Sequence, residues 1–171
     1  MTFLFYVFMF IFGAIIGSFL NVIALRYNTG QSLVFRPSYC FSCGKKLSWP
    51  ELIPILSFII QKGRCRQCKS KISWQYPLVE TTTGLLFFLI FNFQSSIFNE
   101  INLYFLFSTF YFLTIFSLLI VISIYDFRHQ IIPNGLVYAF IILSLFSIFI
   151  ENWSLKIEDF DVATRFLVGL A

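Results

Sequence analysis

Long runs of apolar residues make up most of the chain, and four of them contain no Asp, Glu, Lys or Arg. They are Thr2 to Leu25, Thr81 to Asn99, Ile101 to Tyr125 and Gln130 to Ile150. Each supplies about the 20 residues that a helix needs to cross a bilayer. A helix pairs its own backbone groups inside lipid, and the sequence lacks the alternating pattern of a membrane barrel. The runs therefore predict an all-α polytopic membrane protein with four transmembrane helices.

A fifth apolar run, Phe160 to Ala171, has only about half the length of a membrane span. We expect it to lie along the interface or to begin a fifth helix in a longer protein. At the other end, the first run has no basic residue before it and no small-residue cleavage site after it. We therefore expect it to remain as a helix and not to be removed as a signal peptide.

The composition supports a membrane protein and also suggests its orientation. The chain is 58% hydrophobic, whereas soluble domains are usually about 45 to 50% apolar. Its net charge of +4 is not spread evenly, because nine of the twelve basic residues lie between Arg26 and Lys71, beside a single acid, Glu51. This clustering follows the positive-inside rule and does not require a nucleic-acid partner. It predicts a cytoplasmic loop and an N-terminus outside the cell.

The order of the spans then assigns a side to each later loop. We expect the turn from Asp126 to Gly135 on the cytoplasmic side and the acidic loop from Glu151 to Asp161 outside. Three regions result: a first transmembrane helix (1–25), a cytoplasmic loop domain (26–76) and a transmembrane helical region (77–171).

The cytoplasmic loop contains an internal repeat at a spacing of 25 residues. The segments Cys40 to Trp49 and Cys65 to Trp74 both follow the pattern C-x-x-C-x-x-K-[L/I]-S-W. Two like units related by a pseudo-twofold axis would direct their four sulfur atoms to one central point. The repeat therefore predicts a small module with two equivalent halves. The apolar segment between them, Leu52 to Ile60, is too short to span and is expected to pack under the module or against the membrane.

All four cysteines of the chain, Cys40, Cys43, Cys65 and Cys68, lie in this repeat. Paired C-x-x-C turns are typical of a tetrahedral zinc site, and the surrounding lysines and arginines would stabilise four thiolates. Two disulfides or a redox function are the alternatives, but a reducing cytoplasmic loop rarely keeps disulfides. Since sulfur fills all four positions, we expect Zn²⁺ to hold the fold and not to catalyse.

Asp126 ends the third predicted span and is the candidate catalytic residue. The negative pole of the helix dipole and the nearby lipid both favour its protonated form, which suits general acid/base chemistry. The alternative is an ordinary solvated acid beside Arg128. His129 is a weaker candidate, and Glu80 is either a neighbour of Asp126 or an acid favoured at a helix start.

Three motifs, in this order, resemble those of the type IV prepilin leader peptidase/N-methyltransferase family. The first is Gly17-Ser18-Phe19-Leu20-Asn21-Val22 with Arg26, and the second is the paired C-x-x-C loop continued by Trp74 to Glu80. The third is Asp126 followed by Ile132-Pro133-Asn134. Together they extend over nearly the whole chain.

The resemblance implies an aspartic membrane endopeptidase of a prokaryotic inner or cell membrane. Such enzymes remove the basic leader of type IV prepilin or pseudopilin precursors, and many then methylate the new N-terminus from S-adenosylmethionine. The family uses two aspartates at the cytoplasmic face, of which Asp126 matches the first. The second lies in a G-x-G-D motif that this sequence lacks. We therefore expect a truncated chain that is inactive alone.

Two other functions are compatible with the sequence. One is a non-enzymatic zinc-binding membrane module that contacts a partner in pilus or secretion assembly. The DNA downstream of codon 171 would distinguish it from an enzyme fragment, because only the fragment requires an in-frame G-x-G-D motif there. A transporter is less compatible, because intramembrane charge pairs and broken helices are missing from the sequence.

Overall fold

A computed structural model describes residues 2–32, 36–97 and 103–146, and their regular secondary structure is helical apart from two isolated β-bridges. The helices are α1 (Thr2–Arg26), a 3₁₀ turn (Trp49–Glu51), α2 (Leu56–Ile60), α3 (Gln75–Ile97), α4 (Leu103–His129) and α5 (Asn134–Phe146). Helices α1, α3 and α4 are long and apolar enough to cross a membrane. The all-α membrane fold is therefore confirmed, with three of the four predicted spans found at full length.

The predicted fourth span is described only in part, as the shorter apolar helix α5. Its last residues, 147–150, and the predicted partial fifth helix at 160–171 lie outside the described residues. The described chain divides into two compact units between Ile132 and Pro133. The first unit holds α1, the cysteine loop, α3 and α4. The second contains α5.

The boundaries of α3 and α4 differ from the predicted ones at the ends that face the cysteine loop. Helix α3 begins at Gln75, six residues before Thr81, and helix α4 continues past Tyr125 to His129. The prediction ended each span at the nearest charged residue. Both helices continue past that residue, because a helix keeps its backbone hydrogen bonds when it leaves lipid for water or protein. Glu80 and Asp126 therefore lie within helices and not beside them.

Helices α1 and α3 pack closely because glycines line their contact. A Cβ atom on Gly13 would lie 2.7 Å from Cβ of Phe87, and one on Gly17 would lie 2.8 Å from the Thr83 hydroxyl oxygen. From the other side, a Cβ atom on Gly84 would lie 2.9 Å from the carbonyl oxygen of Phe10. Gly13 and Gly17 form a G-x-x-x-G motif, which permits such close backbone approach in membrane helices.

The end of this helix pair nearest the cysteine loop is polar and buried. Asn21 and Thr83 are fully buried. The Asn21 amide donates to the carbonyl oxygen of Gly17, and Gln75 donates to the Asn21 side-chain oxygen at 3.4 Å. A buried amide requires such partners, since an unpaired polar group in lipid is costly. The contact therefore fixes the first turn of α3 against α1, directly beside the cysteine loop.

Candidate metal and catalytic sites

The two halves of the cysteine loop fold alike, as the repeat predicts. The N–H of Cys40 donates to the Lys45 carbonyl at 2.8 Å, and the equivalent bond from Cys65 to Ser70 is 2.9 Å. Each half also contains one antiparallel β-bridge, Tyr39 with Lys46 and Arg64 with Lys71. The spacing of 25 residues is thus preserved in the backbone hydrogen bonds as well as in the sequence.

Each C-x-x-C turn is followed by a residue in the left-handed region. Gly44 has φ 70° after the first turn, and Lys69 has φ 59° at the equivalent position after the second. Glycine adopts this conformation without strain, whereas lysine does not. In each turn this residue's N–H donates to the carbonyl of the first cysteine, Cys40 or Cys65. The left-handed residue therefore closes the turn that holds the two thiols together.

The four cysteine sulfur atoms converge as one cluster. Their Sγ atoms all lie within 4.8 Å of one another, and those of Cys40 and Cys68 are 3.8 Å apart. A zinc tetrahedron with Zn–S bonds of about 2.3 Å places its sulfur atoms about 3.8 Å apart. No disulfide joins the four cysteines, which all lie within the described residues. Cys40, Cys43, Cys65 and Cys68 therefore fit a tetrathiolate metal site.

The surroundings of the cluster favour the thiolate form at two of the four cysteines. At Cys43 the backbone N–H of Lys45 acts in the same direction, but desolvation and the neighbouring Cys68 and Cys40 raise its pKa to about 11. Two hydrogen-bond donors lower the pKa of Cys40 to about 6. The backbone N–H of Cys43 has the larger effect, and the Ser70 hydroxyl group has the next largest. Hydrogen bonds from Ser70 likewise lower the pKa of Cys68. Because a thiolate accepts these bonds more strongly than a thiol, they favour loss of the proton before the metal arrives.

Glu51, the only acid of the basic loop, joins the two halves of the module. Its carboxylate is buried and accepts from Lys45 of the first half at 3.0 Å, while Arg66 of the second half lies 4.0 Å away. Hydrogen bonds from the Ser48 backbone N–H and, with a smaller effect, from the Lys45 ammonium group lower the pKa of Glu51 to about 2. The carboxylate therefore stays charged near neutral pH and holds the turns of both halves in place.

Asp126 lies in the last turn of α4, where its side chain is exposed. Among the described residues, no salt bridge includes it, so the alternative of an acid paired with Arg128 is not supported by a contact. Arg128 lies near Tyr76 of α3. The His129 ring lies 4.4 Å from that of Tyr125 and is also exposed. The carboxyl group of Asp126 is therefore not covered by the other described helices of the unit.

Glu80 occupies a different environment from Asp126. It is buried in α3 and accepts hydrogen bonds from the backbone N–H of Ile55, at 2.7 Å, and from Ser18 of α1. Ile55 has φ 62° and ψ −54°, and the next N–H, of Leu56, bonds the carbonyl of Pro54. This is a γ-turn of the strained type, which is rare for a β-branched residue. Glu80 thus anchors the loop to the helices.

Arg26 and Tyr27 lie at the same end of α1, and the sequence indicated no individual role for either of them. Arg26 is buried and donates to the carbonyl groups of Ser32, Arg36 and Pro37, so it orders the start of the loop. The Tyr27 ring contacts that of Tyr125, beside Asp126, in an edge geometry. Neither contact has a signal in the sequence, because each depends on how the chain folds around the end of α1.

Comparison with known proteins gives consistent matches to one family. A family model for the bacterial peptidase A24 N-terminal domain matches residues 11–93, which include the cysteine loop but not Asp126. A prepilin leader peptidase/N-methyltransferase of Myxococcus xanthus (strain DK1622) is 52% identical over 50% of this chain and 25% of its own length. The enzyme of the same name from Bacillus subtilis (strain 168) is 38% identical over 78% of this chain and 50% of its own.

A longer match extends over most of the sequence. The type 4 prepilin-like proteins leader peptide-processing enzyme of Escherichia coli O78:H11 (strain H10407 / ETEC) is 32% identical over 92% of this chain and 61% of its own length. The chain thus spans between a quarter and about three fifths of these three relatives. No solved structure matches the chain.

Proposed function

We propose, since the chain belongs to the prepilin leader peptidase/N-methyltransferase family, that it acts in cleaving the leader of type IV prepilin or pseudopilin precursors. The observation that carries the proposal is the match of the family model to α1, the cysteine loop and most of α3. The relatives' names include both a peptidase and a methyltransferase activity. The prepilin substrate that we propose is taken from those names.

Asp126 is the carboxyl group that we assign to the chemistry. Peptide hydrolysis by an aspartic mechanism needs one carboxylate to activate water and one protonated carboxyl group to protonate the leaving nitrogen. The exposure of Asp126 at the end of α4 supports such a role, because water and substrate can reach it. Glu80 does not suit the second position, because it is buried and its carboxylate binds Ile55 and Ser18. A second aspartate of the G-x-G-D type would complete the pair.

The metal site has a supporting role in this proposal. Four thiolates of Cys40, Cys43, Cys65 and Cys68 would surround Zn²⁺ and leave no position for water or substrate, so the ion would hold the loop and not activate a nucleophile. Glu51 would then hold the two halves of the loop together, and Glu80 would hold the loop against the helices. S-adenosylmethionine is the methyl donor if the chain also contributes to methylation.

Cleavage of a prepilin peptide by matched variants tests the assignment of Asp126. We expect no cleavage by the 171-residue chain alone, and cleavage by a version extended with a G-x-G-D segment. In the extended version, Asp126→Asn should reduce kcat at least about a thousandfold, because one carboxyl group of the pair is lost. Zinc content and membrane insertion should not change. Asp126→Glu keeps the acid group and should retain a small part of the activity.

The controls separate catalysis from folding. His129→Gln changes a neighbouring exposed side chain and should leave cleavage within about threefold of the parent. If Asp126→Asn cleaves normally in the extended version, the catalytic assignment is wrong. If the extended version binds a pilus or secretion component but never cleaves, a non-enzymatic zinc module becomes the better description. Activity of the isolated chain would make Glu80 the first residue to test as partner.

A further inference from the structure

A groove of about 680 Å³ lies between the second half of the zinc module and the first turns of α3. Three of the residues that line it are basic and none is acidic. The lining residues are Ile55, Phe58, Ile59, Lys62, Gly63, Arg64, Lys71, Ile72, Trp74, Pro77 and Thr81.

The backbone that places the cations is well defined. Helix α2 ends in a Schellman motif, in which Gly63 N–H bonds the Phe58 carbonyl and Lys62 N–H bonds that of Ile59. Lys62 has φ 51°, so this motif holds it in the left-handed region just after the helix. Arg64 and Lys71 are held opposite each other by their β-bridge. The backbone at these three basic residues is therefore held beside the groove that they line.

These cations lack acidic partners within the described part of the chain. The salt bridges found there join Lys45 and Arg66 to Glu51, and none includes Lys62, Arg64 or Lys71. Unpaired cations that converge on one cavity attract an anion and discriminate against a basic peptide. A phosphate group has the charge and the acceptor oxygens to bind both lysine and arginine.

The other side of the groove is apolar and continues along a membrane helix. The Trp74 ring packs on that of Phe58, with centroids 4.8 Å apart, and is itself largely exposed. Further along α3, Leu78, Leu85 and Leu89 form an exposed apolar strip at helical spacing. Tryptophan is enriched where a membrane helix meets the polar headgroups. The groove therefore opens at the headgroup level of the leaflet next to the zinc module.

From this arrangement we infer that the groove binds one anionic phospholipid of that leaflet. Its phosphate contacts Lys62, Arg64 and Lys71, and its acyl chains follow the apolar strip of α3. A soluble phosphate compound would satisfy the cations but leave the strip uncovered. A zwitterionic lipid would cover the strip, but its ammonium group would offset the charge of its phosphate beside the three cations. Only a ligand with an apolar tail and a phosphate head of net negative charge matches both parts of the groove.

The test uses the full chain purified in a neutral detergent and titrated with phosphatidylglycerol or phosphatidylcholine of identical acyl chains. Native mass spectrometry counts the bound lipids and gives their dissociation constants. We expect one tightly bound phosphatidylglycerol per chain and at least about tenfold weaker binding of phosphatidylcholine. Replacing two groove cations, R64Q with K71Q, should weaken phosphatidylglycerol binding roughly thirtyfold.

The internal repeat supplies a matched control. Lys46 occupies in the first half the position that Lys71 occupies in the second, but it does not line the groove. The double variant R36Q with K46Q removes the same charge from the module and should weaken binding less than about threefold. A variant that keeps the charges, R64K with K71R, should bind within about threefold of the parent, and zinc content should be unchanged in all of them.

Three results would overturn the inference. Equal loss of binding in both charge-removing variants would mean a diffuse attraction to the whole basic loop. Equal affinity for the soluble headgroup glycerophosphoglycerol would mean a phosphate site without a lipid role. Displacement of the lipid by a prepilin peptide, with binding of that peptide lost in R64Q with K71Q, would assign the groove to substrate.

Discussion

At the residue scale, the basic loop depends on a few side chains with several partners each. Glu51 binds Lys45 and Ser48 and lies near Arg66, while Glu80 binds the strained turn at Ile55. Burying a carboxylate is favourable only when such partners replace water. These acids are therefore structural, in contrast to the exposed Asp126.

Removing one cysteine should remove the metal. We expect Cys40→Ser or Cys68→Ser to lower the zinc content from one ion per chain to nearly none, because a structural site needs all four thiolates. The loop should become sensitive to protease, while the helical circular dichroism stays close to that of the parent. Ser42→Ala, between two ligands, is the control and should keep its zinc. A folded, metal-free loop with two disulfides would contradict the prediction.

The charge of Glu51 should make the loop sensitive to acid. Its pKa is lowered from 4.5 to about 2 in the folded state, so it stabilises the fold above about pH 4.5, and this contribution is lost as the pH falls from there towards 2. We expect Glu51→Gln to destabilise the loop by about 1 to 3 kcal/mol near neutral pH.

Amide hydrogen exchange measures that difference at each pH, with zinc content followed in parallel. The difference between parent and Glu51→Gln should stay constant down to about pH 4.5 and shrink below it. Points at which either protein has lost its metal are excluded. A difference that does not shrink at all below about pH 4.5 would show that the pKa of Glu51 is not lowered in the folded state.

At the element scale, α1 and α3 are joined by small residues and hydrogen bonds, because lipid weakens the hydrophobic drive for helix pairing. Gly13 and Gly17 let the backbones approach, and Asn21 adds a polar contact with Gln75. Helix α3 of this pair also contributes Pro77 and Thr81 to the groove, and it holds Glu80, which anchors the loop.

Enlarging one of these glycines should separate the helices. We expect Gly13→Leu to destabilise the protein by about 1 to 3 kcal/mol, since the new side chain would overlap Phe87 and the carbonyl oxygen of Thr83. Unfolding in a detergent titration measures the effect. Ile15→Phe is the matched control, because Ile15 is exposed on the same helix and leaves room for a larger ring. Equal stability of the two variants would show that the close approach is unimportant.

At the scale of the whole molecule, the helices hold one basic module against the membrane. The module begins and ends at membrane helices, α1 and α3, so it must lie close to the leaflet into which both insert. The lipid groove and the exposed end of α4 belong to the same compact unit. The placement of this side in the cytoplasm is a prediction from the charge pattern.

Labelling with reagents that do not cross membranes tests this orientation. Ser38→Cys and Gln61→Cys should react from the cytoplasmic side only, and Asn152→Cys, which lies outside the described residues, only from the outside. The parent chain, whose own cysteines would hold zinc, gives the background. The opposite pattern of reaction would place Asp126 outside the cell and remove the basis for its proposed role.

The sequence by itself determined the helical membrane fold, the cluster of four cysteines that could hold a metal ion, and the family. These features are local: a span needs only a continuous apolar run, and a C-x-x-C turn brings its own two thiols together. The repeat predicted a module with two equivalent halves, and the equivalent backbone hydrogen bonds at Cys40 and Cys65 agree with that prediction. The role of Asp126 remains a prediction, because the end of one helix does not show what faces it.

Only the tertiary structure decided which faces of the helices meet and what lies between them. A membrane helix is apolar all around, so its sequence pattern does not distinguish a face that packs from a face that contacts lipid. For that reason the burial of Asn21, the bond from Ile55 to Glu80 and the groove beside Lys71 were not predictable. Each depends on residues more than 15 positions apart, which only the folded chain brings together.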